Sequence, residues 1–557
     1  MKKLIFIGIM SMGLASAMAQ TGKGNDESNS FKNEMDDFRA DMHKEFKDFR
    51  KQCFAEYISF VRKAWKEVGV ERPIPLPKDE EFVPEIAVLN DETNSWLLKQ
   101  LGHMKDKIFG GYKKKQAMRE ENRMKQQNAD AMPENLKGEE DKQVAQNMQP
   151  GKDEKSMEVV INKLILAKPE PYVQPQPLAP VEEDLASRND EFAFTSFGTE
   201  YKVRIGENCK FKLREVESDA IADALENMFQ TQYDNLLYDC LELRKEHHLS
   251  DWAYYQMLCS LVDSFYGPNS NEGTLVLAYL YMQSGYKMRM AHNHENIFML
   301  IASQHIIYGK PSYRLDGERF YVIKGSEPSS MSICEAKFEK ESSLSLLIPE
   351  SQDFAMNAAN SRTISSSRYP DFSFTVSINR NLMDFYETYP TSQLGTDHMS
   401  RWAMYANAPM VDEVTSQLYP QMRNKLQGLS KLDAVRRLLN WVQMGLDYQY
   451  DNNVWGHDRA FFGEESLYYP YCDCEDRAIL LSHLVRDLLG LDAILVYYPG
   501  HLAMAVGFDE PVEGDYIMLD GRRFVVCDPT YLGADVGETM RGMDNRSADV
   551  ILLEKSI

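Results

Sequence analysis

Three residues near the C-terminal end of the chain have the types and placement that nucleophilic catalysis requires. Cys474 opens a strongly apolar helical run. His501 follows Pro499-Gly500 at the start of a strand-like run, and Asp528 closes a second one. A thiol, an imidazole and a carboxylate can act as nucleophile, general base and base-orienter. All three fall at predicted element boundaries, where side chains from distant segments can converge. A thiol attacks as its thiolate, so it needs a helix N-terminus or a nearby imidazolium to lower its pKa. Glu475 and Asp476 suit the positive end of a helix dipole but oppose a thiolate, which leaves His501 as the expected activator.

The elements that must hold these residues are legible around them. Ala478, Ile479, Leu480, Leu481, Leu484, Val485, Leu488 and Leu489 give the helix a wide apolar face, and Gly490 is its expected C-terminal stop. Cys474-Glu475-Asp476, the Ala478 helix, Leu489-Gly490-Leu491, Gly500-His501 and Cys527-Asp528-Pro529-Thr530 together resemble the transglutaminase-like superfamily. The resemblance covers roughly the last quarter of the chain. It implies a papain-like fold, with the Cys474 helix packed on an antiparallel sheet. It also implies Cys474 as nucleophile, His501 as base and Asp528 as orienter. One departure is Cys472, where the family often has glycine. A second thiol two residues from the first could form a disulfide that gates activity. Gln449, Tyr450 and Trp455 are candidates for a second oxyanion donor beside the backbone N–H of Cys474. A zinc reading would use Cys472, Cys474, His501 and Cys527, but lacks C-x2-C spacing. No metal and no cofactor are expected.

The start of the chain predicts a secretory signal peptide over residues 1–19. Lys2-Lys3 precede an apolar run, and Ala17-Met18-Ala19 reads as a cleavage site. No cysteine follows that site, so a lipid anchor is not expected, and no later stretch is long and apolar enough to span a membrane. A periplasmic or secreted location follows. The net charge of −23, from 85 acidic against 62 basic residues, argues against nucleic acid and anionic membrane surfaces as partners. The family resemblance implies a protein or peptide substrate. The eight cysteines are scattered and form no dense disulfide framework.

Texture divides the rest into an α+β chain with several parts. Residues 20–104 read as a helical N-terminal region, with an aromatic face recurring from Phe31 to Trp65 over residues 30–68. Residues 105–190 read as a linker: 105–155 is polar and low in complexity, and 167–179 is proline-rich and extended. Residues 191–325 read as an α+β domain, with strands over 192–213, helices over 219–242, 251–266 and 274–283, then strands over 297–308 and 313–323. Residues 326–410 read as a β-rich insert, with strands in SLSLLIPE and FSFTVSINRNL and a loop in SRTISSSRYP. Residues 411–557 form the domain that bears the three residues.

Residues 191–325 and 411–557 share an order of features. Each has a helix containing tryptophan (Trp252, Trp441), an apolar helix, and a strand hairpin on Asp-Gly (Asp316-Gly317, Asp520-Gly521). This order reads as a degenerate internal repeat, or as the common coincidence of helix-then-sheet order. The first copy has Ser270-Asn271 near the cysteine position and no clear Asp-Pro after its hairpin. The function expected is an exported thiol-dependent peptidase or amidase working through a thioester acyl-enzyme. The alternatives are a cross-linking acyl transferase and a non-catalytic binding or scaffold protein.

Overall fold

The computed structural model describes residues 52–77, 85, 87, 164–165, 172–184, 190–325 apart from 231–232, and 330–554 apart from 396. The expected signal peptide and the low-complexity stretch 105–155 lie outside the described residues.

The chain is mixed α+β and builds two six-stranded sheets. In the first, the order is Trp65–Glu67, Ser332–Cys334, Met288–His292, Ile297–Ala302, Glu318–Val322, Ser312–Leu315, all antiparallel. In the second, it is Leu164–Ile165, Asp549–Leu552, Asp492–Tyr498, His501–Gly507, Arg522–Cys527, Tyr516–Leu519, antiparallel except for the first pair. The two sheets have the same connectivity. A buried helix leads into a hairpin, a second hairpin joins one edge, and a last strand returns beside the first. Register agrees as well: Leu300 pairs with Val322 where Met504 pairs with Cys527. Both outer hairpins turn on Asp-Gly with positive φ at both residues, 51° and 86° for Asp316-Gly317, 49° and 78° for Asp520-Gly521. That is the geometry of a tight two-residue hairpin turn.

Each sheet takes its buried helix on one face. The helix Asn271–Gln283 packs on the first sheet and Cys474–Leu489 on the second. The second helix is buried almost all round, because Lys431–Gly445 covers the side that the sheet leaves open. One apolar core is continuous through both helical layers, from Tyr57 to Ile551. The far face of the second sheet has its own smaller core of Ile494, Val496, Tyr498, Ala503, Ala505 and Phe524.

Several sequence expectations shift in detail. The N-terminal helix ends at 61, and Trp65–Glu67 instead adds a strand to the first sheet. The aromatic stripe does not stay on one face, since Phe60 is 60% exposed. The helix expected over 219–242 is two helices, Ser218–Gln230 and Tyr233–Glu246. The last part opens with two helices, Asp412–Leu426 and Lys431–Gly445. The expected loop SRTISSSRYP contains the strand Arg362–Ser365, paired with Ser373–Val376. Its outward residues form a hydroxyl ladder, Thr363 with Thr375 at 2.8 Å and Ser365 with Ser373 at 2.6 Å. Polar residues on the solvent face hid this strand from an apolar-run reading. SLSLLIPE makes only an isolated bridge at Leu344, and FSFTVSINRNL passes from strand into the helix Arg380–Glu387, capped by Asn379.

Residues 172–184, which include the described part of the proline-rich stretch, are docked along the first helical layer. The Leu178 N–H donates to the Gln283 carbonyl, and Asn235 exchanges two hydrogen bonds with the Asp184 backbone. Tyr172 reaches a buried ion pair. Asp251 accepts from Arg244 Nη2 at 2.7 Å, Tyr172 at 2.6 Å, Tyr286 at 2.8 Å and the Ser345 N–H at 3.0 Å. Removing one member of such a pair strands a buried charge. Asp251→Ala is expected to lower stability by about 3–5 kcal/mol, read as an earlier urea midpoint. An unchanged midpoint would show that the pair contributes nothing.

Candidate active site

Local chemistry places each of the three residues. Asp473 is the N-cap of the helix that starts at Cys474, and its backbone N–H donates to Asp476 at 3.1 Å in a capping box. Gly490, in the left-handed conformation at φ 64°, ends the helix. Pro499-Gly500 makes a two-residue connection, with Gly500 at φ 77°, so Tyr498 pairs directly with His501 at the mouth of the sheet. Asp528 directly follows the strand Arg522–Cys527. Its loop is clamped by the side-chain amide of Gln443, which donates to the carbonyls of Asp528, Tyr531 and Ala534. Arg477, wholly buried on the cysteine helix, donates to the carbonyls of Gln443, Leu446 and Pro529. It thereby ties that helix to the Asp528 loop.

The imidazole and carboxylate meet. His501 Nε2 lies 2.8 Å from Asp528 Oδ2, and both residues are buried. Asp528 Oδ1 accepts from the Thr530 and Tyr531 N–H groups at 2.8 and 3.1 Å. A carboxylate only accepts, so Nε2 carries a proton toward it and Nδ1 is the basic nitrogen. Cys474 and His501 line one cleft of about 520 Å³. Its wall includes Trp402, Tyr448, Tyr450, Tyr497 and Leu502, with Pro75, Leu76 and Pro77 from the N-terminal segment.

The electrostatics of the thiol are less simple. Cys474 Sγ donates to Glu475 Oε2 at 3.1 Å. Burial first, then the charge of Glu475, holds the Cys474 thiol well above its ordinary value, opposed by a hydrogen bond from the Leu502 backbone. In chelator-treated protein, iodoacetamide is therefore expected to modify Cys474 slowly near neutral pH, with the rate still rising above pH 9, the ordinary thiol value. Glu475→Gln should move the rise to lower pH, as followed by mass spectrometry. An unmoved profile would remove Glu475 from this role.

Of the expected oxyanion donors, Tyr450 lines the cleft, whereas Gln449 and Trp455 lie outside its lining. The Trp455 ring instead packs edge-on against Phe461 and Tyr469 and under the Arg459 guanidinium. The zinc set is not assembled. Cys472 Sγ points to the Asp447 carbonyl and Cys527 Sγ to the Val525 carbonyl, and all eight cysteines are free thiols. Sequence reasoning missed Tyr448, Trp402 and the carboxylates of Asp451, Asp458 and Asp473 that line the same cleft. The run Tyr448-Gln449-Tyr450-Asp451 did offer a signal, since the aromatic and acidic residues of the cleft alternate with Gln449.

In the first sheet, the shared register puts Asn271, Ile297 and Ile323 where Cys474, His501 and Asp528 stand. Asn271 Oδ1 accepts from the Ile297 N–H at 2.8 Å, and its amide donates to the Glu295 carbonyl. A side-chain brace stands where the second sheet has a thiol and an imidazole. Neither protein-family models, curated proteins nor solved structures give a significant match to this chain.

Proposed function

We propose that the chain is a thiol-dependent hydrolase, a peptidase or amidase of transglutaminase-like architecture, acting on a protein or peptide substrate outside the cytoplasm. The observation that carries the reading is the buried 2.8 Å contact of Asp528 with His501, a residue that lines the same cleft as Cys474. The Cys474 thiol attacks the substrate carbonyl as its proton passes to His501 Nδ1. His501 then returns that proton to the leaving amine, and a thioester remains on Cys474. Asp528 keeps the imidazole in the required tautomer and supports its positive charge. The backbone N–H of Cys474 at the helix start supplies one oxyanion donor and the Tyr450 side chain a second. Water completes hydrolysis, and an amine in its place gives cross-linking. The sheet around Asn271, Ile297 and Ile323 is then a non-catalytic copy, retained for packing or recognition.

The test is capture of the acyl-enzyme. An activated ester should leave its acyl group on Cys474, released by water in the wild type, and the rate of that acylation should fall sharply when His501 is replaced by alanine. Acyl transfer to other residues alone would sink the reading. A second reading, a binding protein without turnover, is favoured by the Cys474–Glu475 hydrogen bond, which keeps the thiol protonated. Under it, neither acylation nor alkylation at Cys474 would be seen near neutral pH.

A further inference from the structure

Carboxylates crowd the cleft around Asp451. One oxygen each of Asp451, Asp473 and Asp476 lie within 4.8 Å of one another, and so do those of Asp451, Asp458 and Glu475. Asp451, Asp473, Glu475 and Asp476 are each more than nine-tenths buried. Among the described residues, no lysine or arginine forms an ion pair with any of these four. Arg401 pairs with Asp458 at 2.7 Å, Arg459 pairs with Glu465, and Arg477 spends its donors on backbone carbonyls. Burying carboxylates without a compensating cation is costly.

The two sets differ in how far their oxygens are already engaged. Asp476 uses both, accepting from the Phe461 and Asp473 N–H groups. Asp451 Oδ2 accepts from the Arg459 N–H at 2.5 Å. Asp473 stands apart, because its Oδ1 is buried and has no hydrogen-bond partner among the described residues, and Asp473 lines the cleft. A buried acceptor left unsatisfied in a wall of carboxylates points to a ligand that brings positive charge.

We propose that Asp451, Asp473, Glu475 and Asp458 bind a calcium ion at the floor of this cleft. All four offer hard oxygen donors, which suit calcium over softer metals. Calcium takes about six to eight oxygens at about 2.3–2.6 Å in flexible geometry, which carboxylates from several chain segments can supply. Magnesium usually keeps several waters and takes only one or two carboxylates, so it is less suited to a cluster of protein carboxylates. The site does not depend on Cys474 being a nucleophile.

Calorimetric titration of the full, chelator-dialysed chain with calcium chloride tests this, with terbium luminescence sensitised by Trp402 and Tyr448 as a second readout. One calcium per chain is expected. Asp451→Asn and Glu475→Gln should each raise the dissociation constant by a factor of ten or more. Asp473→Asn keeps a good N-cap, so its helix should form while calcium binding weakens. No binding at millimolar calcium, or binding that these carboxylate variants do not change, overturns the proposal. So does a lysine-bearing peptide that binds the chelated protein through the same carboxylates while calcium does not, since that makes them a substrate pocket.

Discussion

Cys474→Ala is expected to reduce cleavage of any amide or ester substrate to background, a loss on the order of 10⁶-fold, as when a serine-protease nucleophile is removed. The fold should persist. The helix that begins at Cys474 keeps its Asp473 capping box, its Gly490 stop and its buried apolar residues in the variant. The informative comparison is Cys472→Ala. Cys472 is buried, its thiol pushed up to about 11 chiefly by desolvation, and its sulfur faces the Asp447 carbonyl, away from the cleft lining. Losing it should cost about 1 kcal/mol of stability and little activity. Rates and melting curves for both variants separate the roles. Should Cys472→Ala abolish cleavage while Cys474→Ala spares it, the nucleophile has been misassigned.

Asp528→Asn is expected to slow the reaction by about 10⁴-fold, the cost of the wrong imidazole tautomer in a triad. The structure explains why so small a change matters. Asp528 accepts with both oxygens, Oδ2 from His501 and Oδ1 from the Thr530 and Tyr531 backbone. An asparagine amide has one acceptor and one donor. If its oxygen keeps the turn, its NH₂ faces His501 and forces the proton onto Nδ1, where the base must be. If it keeps His501, the turn loses its acceptor. The variant therefore loses rate in the first case and stability in the second. Kinetics and thermal melting on one preparation distinguish them, and a variant near wild type in both would exclude Asp528 from the site. Asp528→Ala loses both roles at once. It should therefore destabilise the chain as well, by about 2–4 kcal/mol from hydrogen bonds to a charged group.

Local signals explain which parts of this protein can be read along the chain. The helix start at Cys474, its stop at Gly490, the Pro499-Gly500 turn and the Asp-Gly hairpins each depend on a few consecutive residues. Capping, left-handed backbone and turn chemistry are short-range effects, so neighbours in sequence are enough to specify them. The order of helix, hairpin and hairpin in each half follows from these signals strung together. The strand Arg362–Ser365 escaped because its partner, Ser373–Val376, supplies the pairing that its own polar residues do not advertise.

What the tertiary structure decided is everything that depends on distance between segments far apart in the chain. By itself, the sequence determined that a thiol, an imidazole and a carboxylate stand at element ends. Packing alone determined that His501 and Asp528 touch, because that contact needs two strands in one register and a loop clamped by Gln443 and Arg477. Packing also brought Asp451 and Asp458 up to Glu475, turning ordinary acidic residues into a buried cluster. It docked residues 172–184 on the first helical layer through Tyr172, where composition suggested a linker. Charge and burial are collective properties: a carboxylate is costly or useful according to what lies within a few ångströms of it, and only the folded chain sets those distances.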